Sequence, residues 1–136
     1  MLAAATLVAG GRRHLDAVDV PASARIVEFG DVTVGVVAVV DHVRAARGPA
    51  VVLASGDPGY FGIVAALRRH GLEPRVHPAV SSVAMAFARL GLPWDDAVVV
   101  SAHGRDLGPA VNVCRAHPKV AVLTGPTTGP AQIGLA

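Results

Sequence analysis

The apolar residues of this chain come in short runs punctuated by glycine, proline and small polar residues. Residues 51–54 (Val-Val-Leu-Ala) run directly into Ser-Gly-Asp-Pro-Gly, and a helical pattern then continues to His70 and Gly71. A short apolar run bounded by a glycine turn predicts a buried strand, and the glycine turn ahead of a helix predicts a strand–turn–helix unit. The alternation recurs along the chain. Strands are predicted over 6–9, 25–29, 50–54, 74–77, 97–101 and 119–123, with 25–29 at a sheet edge because it is short and partly polar. Helices are predicted over 62–70, 83–90 and 107–116, with the end of a helix at 1–5 and the start of one at 130–136.

Residues 32–47 fit two patterns. Their many valines favour a strand. Their length, the apolar positions Val36, Val39, Val40 and Val43, a stop at Gly48-Pro49 and an N-capping Asp31 favour a helix, which is the reading adopted. Strands alternating with helices define an α/β fold with a mostly parallel sheet.

Composition narrows the class. The chain has 136 residues, of which 52% are hydrophobic, with five aromatics. A core can form, packed with small aliphatic side chains. Eleven of the twelve basic residues are Arg, they are scattered, and the net charge is only +2, so the composition gives no case for nucleic acid. Cys114 is the single cysteine, which excludes an internal disulfide and suits a reducing, cytoplasmic setting. The most apolar run, 32–40, is far short of the ~20 residues that span a bilayer, so no membrane role is expected.

Candidate chemistry collects at strand ends. Ser55-Gly56-Asp57-Pro58, Ala79-Val80-Ser81-Ser82 and Leu123-Thr124-Gly125 each follow a predicted strand, and such ends share one edge of a parallel sheet. Each has a plainer role. Asp57, Ser81 or Ser82 could cap a helix, and Pro58 suits a helix's first turn. Together they favour a ligand site, because helix starts and glycine turns converge there. Arg12, Arg13 and His14 follow the first strand, as a solvated helix start or an anion-binding patch. His103 and Arg105 follow the strand at 97–101, as a solvated loop or a substrate-facing pair. No Walker motif is present and no Cys/His spacing suits zinc, so no metal is expected.

Three segments carry a resemblance: Val-Leu-Ala-Ser-Gly-Asp-Pro-Gly-Tyr-Phe-Gly, then His-Pro-Ala-Val-Ser-Ser-Val-Ala-Met-Ala-Phe-Ala-Arg-Leu-Gly-Leu-Pro-Trp, then Val-Ser-Ala-His-Gly-Arg-Asp. With Gly10-Gly-Arg-Arg-His-Leu15 and Val122-Leu-Thr-Gly-Pro126, they resemble the tetrapyrrole methylase family over essentially the whole chain. The closest likeness is to the cobalamin-pathway branch that methylates C5 of a corrin precursor, precorrin-6Y or cobalt-precorrin-7.

The resemblance implies two α/β domains, 1–93 and 94–136, and an S-adenosylmethionine-dependent methyltransferase. It implies an N-terminal parallel sheet in the order 3-2-4-1-5. There 6–9, 25–29, 51–54 and 75–77 would be strands 2, 3, 4 and 5, and strand 1 has no counterpart. The chain is therefore expected to be truncated at both ends, and to be marginally stable or a homo-oligomer through open edges. Gly56, Asp57, Pro58, Ser81, Ser82, Leu123 and Thr124 would bind the cofactor. Arg12, Arg13, His103 and Arg105 are the candidates for the carboxylates of a tetrapyrrole substrate. No catalytic base is assigned. Fusion to a C15-methyltransferase/decarboxylase, a related methylase acting at another ring position, and a non-catalytic binding module of the same fold stay open.

Overall fold

The computed structural model describes all residues, 1–136, and divides into two compact units, Met1–Ser81 and Ser82–Ala136. The domain boundary at 93/94 stays a proposal. In the first unit a 3-10 turn (Leu2–Ala4) leads into β1 (Leu7–Gly10), and α1 (Arg12–Leu15), β2 (Arg25–Glu28), α2 (Val32–Arg44), β3 (Ala50–Val52) and α3 (Ile63–Arg69) follow. The second unit holds α4 (Ser82–Leu90), β4 (Val98–Ser101), α5 (Gly108–Ala116), β5 (Val120–Leu123) and α6 (Pro130–Leu135).

The first sheet is parallel, in the order β2-β1-β3. This is the order the resemblance implied for its second, third and fourth strands. All four residues of β1 are buried, as a central parallel strand covered on both faces requires. On one face Leu7 and Ala9 pack with Val36, Val39 and Val40 of α2 and Leu67 of α3. On the other, Val8 packs with Ala5 and Leu15.

The valine-rich segment is a helix, for reasons local to it. Asp31 caps it, accepting hydrogen bonds from the Thr33 and Val34 amides at 2.6 and 3.4 Å. Val36, Val39 and Val40 form one buried stripe at helical spacing. The helix ends at Arg44, earlier than the expected 47, and Ala46 then turns at φ +50°.

A buried polar contact fixes how α2 meets the sheet. His42, 3% exposed, places Nε2 2.9 Å from Thr6 Oγ1. Thr6 in turn donates to the Pro49 carbonyl at 3.2 Å. The hydroxyl proton is thus spent on Pro49, so Nε2 of His42 carries the proton and donates.

Two expectations are corrected. Residues 75–77 form no strand: no strand lies alongside, and Pro74 and Pro78 bring no amide donors. Pro58 is not in the first turn of a helix. Asp57 and Tyr60 close a turn instead (Tyr60 N–H to Asp57 C=O, 3.1 Å), and the helix starts at Ile63.

In the second unit β4 and β5 pair in parallel, Val98↔Val120 through Ser101↔Leu123. Phe87 stacks on Trp94 with ring centres 5.8 Å apart. Lys119 donates to Asp96 Oδ1 at 2.5 Å and to the Pro93 carbonyl at 3.0 Å.

The Lys119 hydrogen bond lowers the Asp96 carboxyl below its ordinary value. A depressed carboxyl contributes stability above its unfolded value, and that contribution is lost as pH falls through the folded one. Asp96→Asn is therefore expected to lower stability slightly at neutral pH and to flatten the acid limb, so that the two chains converge as pH falls. Urea titrations from pH 7 downward check this, and an unchanged acid limb refutes it. Asp31→Ala is expected to cost about 1 kcal/mol by urea denaturation, with Asp31→Ser recovering most of it.

Candidate functional site

Two groups of polar residues lie at the C-terminal ends of parallel strands, one in each unit. The first is built on β1 and β3. Their ladder ends with the Leu53 amide donating to the Ala9 carbonyl at 2.7 Å. Past that rung the chain continues into α1 on one side and the 55–59 turn on the other.

Arg13, His14 and Ser55 meet across this gap. Arg13 Nη2 donates to Ser55 Oγ at 2.8 Å, and His14 Nε2 is 2.7 Å from the same oxygen. Arg13 Nε also lies 3.4 Å from His14 Nε2. Both Arg13 contacts need acceptors, so His14 Nε2 carries the lone pair, Ser55 O–H donates to it, and the ring proton sits on Nδ1. That Nδ1 is buried without a partner. An imidazole with no carboxylate behind it lacks the third member of a nucleophilic triad. What the group offers an anion is the Arg13 guanidinium, oriented by its hydrogen bond to Ser55.

The 55–59 turn is closed by its own residues and by 79–81. Asp57 Oδ1 accepts from the Gly59 amide at 2.8 Å. This bond stays within the turn, so Asp57 does not cap α3, whose N-cap is Gly62. Gly56 sits at φ +58°, and its carbonyl accepts from the Ala79 amide at 3.0 Å. A Cβ on Gly56 would lie 3.1 Å from Ser81 Cα and 3.3 Å from the Val80 carbonyl. The structure thus brings Gly56, Asp57 and Ser81 together. Beside the turn, Tyr60 and Phe61 form an exposed edge-to-face pair, ring centres 5.0 Å apart, with Phe61 at φ +55°. A positive φ is costly for an aromatic residue and concentrates at functional turns. Sequence reading passed over this pair, and nothing in composition or spacing marks such a φ.

Arg12 stands apart from Arg13. It pairs with Asp16 at 3.2 Å and Glu28 at 3.6 Å. The Asp16 hydrogen bond, then the charges of Asp16 and Glu28, raise its guanidinium above the ordinary value. A substrate carboxylate at Arg12 has to compete with both.

In the second unit, His103 Nδ1 lies 3.0 Å from the Thr124 carbonyl. Thr128 Oγ1 donates to the Ala102 carbonyl at 2.9 Å and accepts from the Gly125 amide at 3.2 Å. The Leu123 carbonyl accepts from the Ala102 amide at 2.9 Å. The expected Leu123, Thr124 and His103 are therefore neighbours, and each carbonyl keeps one lone pair for a ligand. Arg105 is exposed on the turn after β4, and Ser82 opens α4. No group of three or more His, Cys, Asp or Glu could hold a metal ion, and no helix is long and apolar enough to cross a membrane.

The parallel strands, the glycine turn and the polar strand ends define an α/β protein with polar turns at the C-terminal edge of its sheets. The profile of the Tetrapyrrole (Corrin/Porphyrin) Methylases matches residues 1–133, and the chain belongs to that family. It is 38% identical over 136 residues to a decarboxylating precorrin-6Y C(5,15)-methyltransferase of Sinorhizobium sp, covering 98% of this chain and 32% of that protein. It is 34% identical over 132 residues to a cobalt-precorrin-7 C(5)-methyltransferase of Salmonella typhimurium, covering 95% of this chain and 63% of that protein. The chain thus spans less than two thirds of the length of either relative. Among solved structures, the methyltransferase CobJ shares the fold, with a TM-score of 0.68 at 19% identity over 82% of this chain and 52% of that one.

Gly56 and Gly71 separate two costs of a side chain. Both have positive φ, but a Cβ on Gly71 meets nothing within 4 Å. Gly71→Ala is expected to lose only the left-handed backbone cost, about 1–2 kcal/mol. Gly56→Ala is expected to lose clearly more in the same urea denaturation, because 80–81 must also move. Equal losses refute the close approach.

Proposed function

We propose that this chain provides the site-bearing part of an S-adenosylmethionine-dependent methyltransferase acting on a corrin precursor. The proposed reaction is the C5 methylation of precorrin-6Y or cobalt-precorrin-7 in cobalamin biosynthesis. The observation that carries this reading is the 55–59 turn held against 79–81 by the Gly56–Ala79 hydrogen bond. It supports a close-fitting, small-residue site at the end of a parallel strand, in a chain whose family and relatives are methyltransferases.

The donor set fits the cofactor. Asp57 keeps Oδ2 free while Oδ1 is held by Gly59, so it can receive the ammonium of a methionine moiety with its orientation already set. Gly56 and Pro58 keep the turn narrow, and Ser81 adds a hydroxyl beside it. In the second unit, Leu123 and Thr124 offer backbone groups suited to an adenine edge. Bound S-adenosylmethionine supplies a methyl group on a positively charged sulfur, already a good electrophile. The chain's contribution is therefore positioning and the exclusion of water.

Arg13 is the better placed of the two neighbouring arginines to take a substrate carboxylate. Ser55 fixes one end of its guanidinium, whereas Arg12 is held by Asp16 and Glu28. His103 and Arg105 are assigned the same task at the end of β4.

Asp57→Asn keeps an oxygen for the Gly59 amide but removes the charge, whereas Asp57→Ala removes both. Calorimetric titration with S-adenosylhomocysteine and S-adenosylmethionine is expected to show binding weakened about 10-fold or more in both variants, from loss of a charge-assisted contact. Unchanged affinity in both removes Asp57 from the site. Titration of the unaltered chain tests the reading as a whole, and no heat of binding with either compound refutes it.

A further inference from the structure

The three side chains that meet at the ends of β1 and β3 hold a donor in reserve. Ser55 Oγ receives Arg13 Nη2 at 2.8 Å and gives its own proton to His14 Nε2 at 2.7 Å. The hydroxyl proton thus points at a neighbour within the protein and is closed to a ligand. Arg13 Nε completes the ring of three, 3.4 Å from the same His14 nitrogen. In this state only Arg13 has N–H groups left for an anion.

One added proton changes which group donates. A proton taken from solvent goes to Nε2, because Nδ1 already holds one and is buried without a partner. The new Nε2–H has an acceptor in place, Ser55 Oγ at 2.7 Å. Ser55 must then turn its own O–H away from the ring. The residue is exposed, so that O–H becomes available to a ligand. Only hydrogen bonds are exchanged, and no covalent bond beyond the new N–H forms or breaks.

What opposes this step is charge. The imidazolium would abut the Arg13 guanidinium, and His14 has no acidic partner. The acids on the neighbouring elements are engaged elsewhere. Asp16 and Glu28 pair with Arg12, and Asp57 holds the Gly59 amide. β1 brings only the backbone of Gly10 against the ring's Cβ side. The missing counter-charge is therefore an anion from outside. Such an anion meets a second positive charge and a second donor, the Ser55 hydroxyl. A carboxylate matches the set, because its two oxygens accept both from a guanidinium fork and from a hydroxyl.

We propose that Arg13, Ser55 and His14 take up one proton together with one ligand carboxylate. His14 is the proton's site and a positioning residue, acting on the ligand through Ser55. The inference rests on the reading of the 55–59 turn as a ligand site. The carboxylate is that of the cofactor's methionine end or one of the substrate's, and the test separates the two. Linkage fixes the sign. Affinity rises as pH falls through the histidine range and is lost as pH rises, by at most about 10-fold per pH unit for one proton.

The test uses the full 136-residue chain and two carboxylate probes, S-adenosylhomocysteine and uroporphyrin, a polycarboxylate porphyrin. Calorimetric titration at about pH 7, in two buffers of different ionisation heat, counts the protons taken up per ligand, and about half a proton or more is expected. Affinity for the same probe is expected to rise about 5-fold or more from about pH 8 to about pH 6. His14→Gln keeps an acceptor for the Ser55 O–H but cannot charge. It is expected to lose the uptake and to bind equally at the two pH values. Uptake with S-adenosylhomocysteine assigns the carboxylate to the cofactor, and uptake with uroporphyrin alone assigns it to the substrate. Binding without proton uptake overturns the inference and leaves the ligand-site reading standing. Uptake that persists in His14→Gln also overturns it. Absence of binding by both probes overturns the inference and the reading together. Where His14→Gln fails to fold, Ser55→Ala decides: without the hydroxyl the uptake is expected to vanish, and its persistence overturns the role of Ser55.

Discussion

Everything in the first unit depends on β1 being a buried strand with a parallel neighbour on each side. Its ladders set where three chain segments leave the sheet: after Gly10, after Glu28 and after Leu53. The Gly10 position shows how tight this is. A Cβ there would sit 3.0 Å from Leu53 Cβ and 3.2 Å from the Leu53 carbonyl. Without a side chain at Gly10 the two strand ends stay close, and only then can Arg13 and His14 reach Ser55. The site is thus a consequence of strand registry before it is a matter of side-chain chemistry.

Local rules carried most of the fold. Asp31 as a cap, the valine stripe at helical spacing, and Gly71 and Gly91 as helix stops are all short-range signals, and each corresponds to an observed element. The valine-rich helix shows which rule wins when two conflict. β propensity amounts to fitting a pleated, half-buried surface, and a segment with one buried helical stripe and a cap has a better way to bury its valines. Residues 75–77 show the limit. Their composition suits a strand, but a strand exists only where another pairs with it, and that is not a property of the segment itself.

The candidate site was legible in the same uneven way. Residues on the glycine turn, Gly56 and Asp57, could be picked out because turn chemistry is written locally. That Arg13 rather than Arg12 reaches Ser55 could not. The two are adjacent in sequence, and only the three-dimensional placement of Asp16 and Glu28 engages one and leaves its neighbour for the site. His42 was equally silent. A histidine in a helix's last turn reads as a solvated or dipole-matched residue, yet here it is buried and hydrogen-bonded to Thr6, 36 residues away in sequence.

The 55–59 turn has two supports of different quality. On one side is the Leu53–Ala9 rung, part of a ladder anchored in a buried core. On the other is the Gly56–Ala79 hydrogen bond, which leads into 73–77, a segment held by no ladder at all. The turn therefore lies between a rigid wall and a loosely held one. Local stability follows such contacts, and segments with few of them open first. The looseness of that wall is thus set by β3, a strand that is paired on one side only.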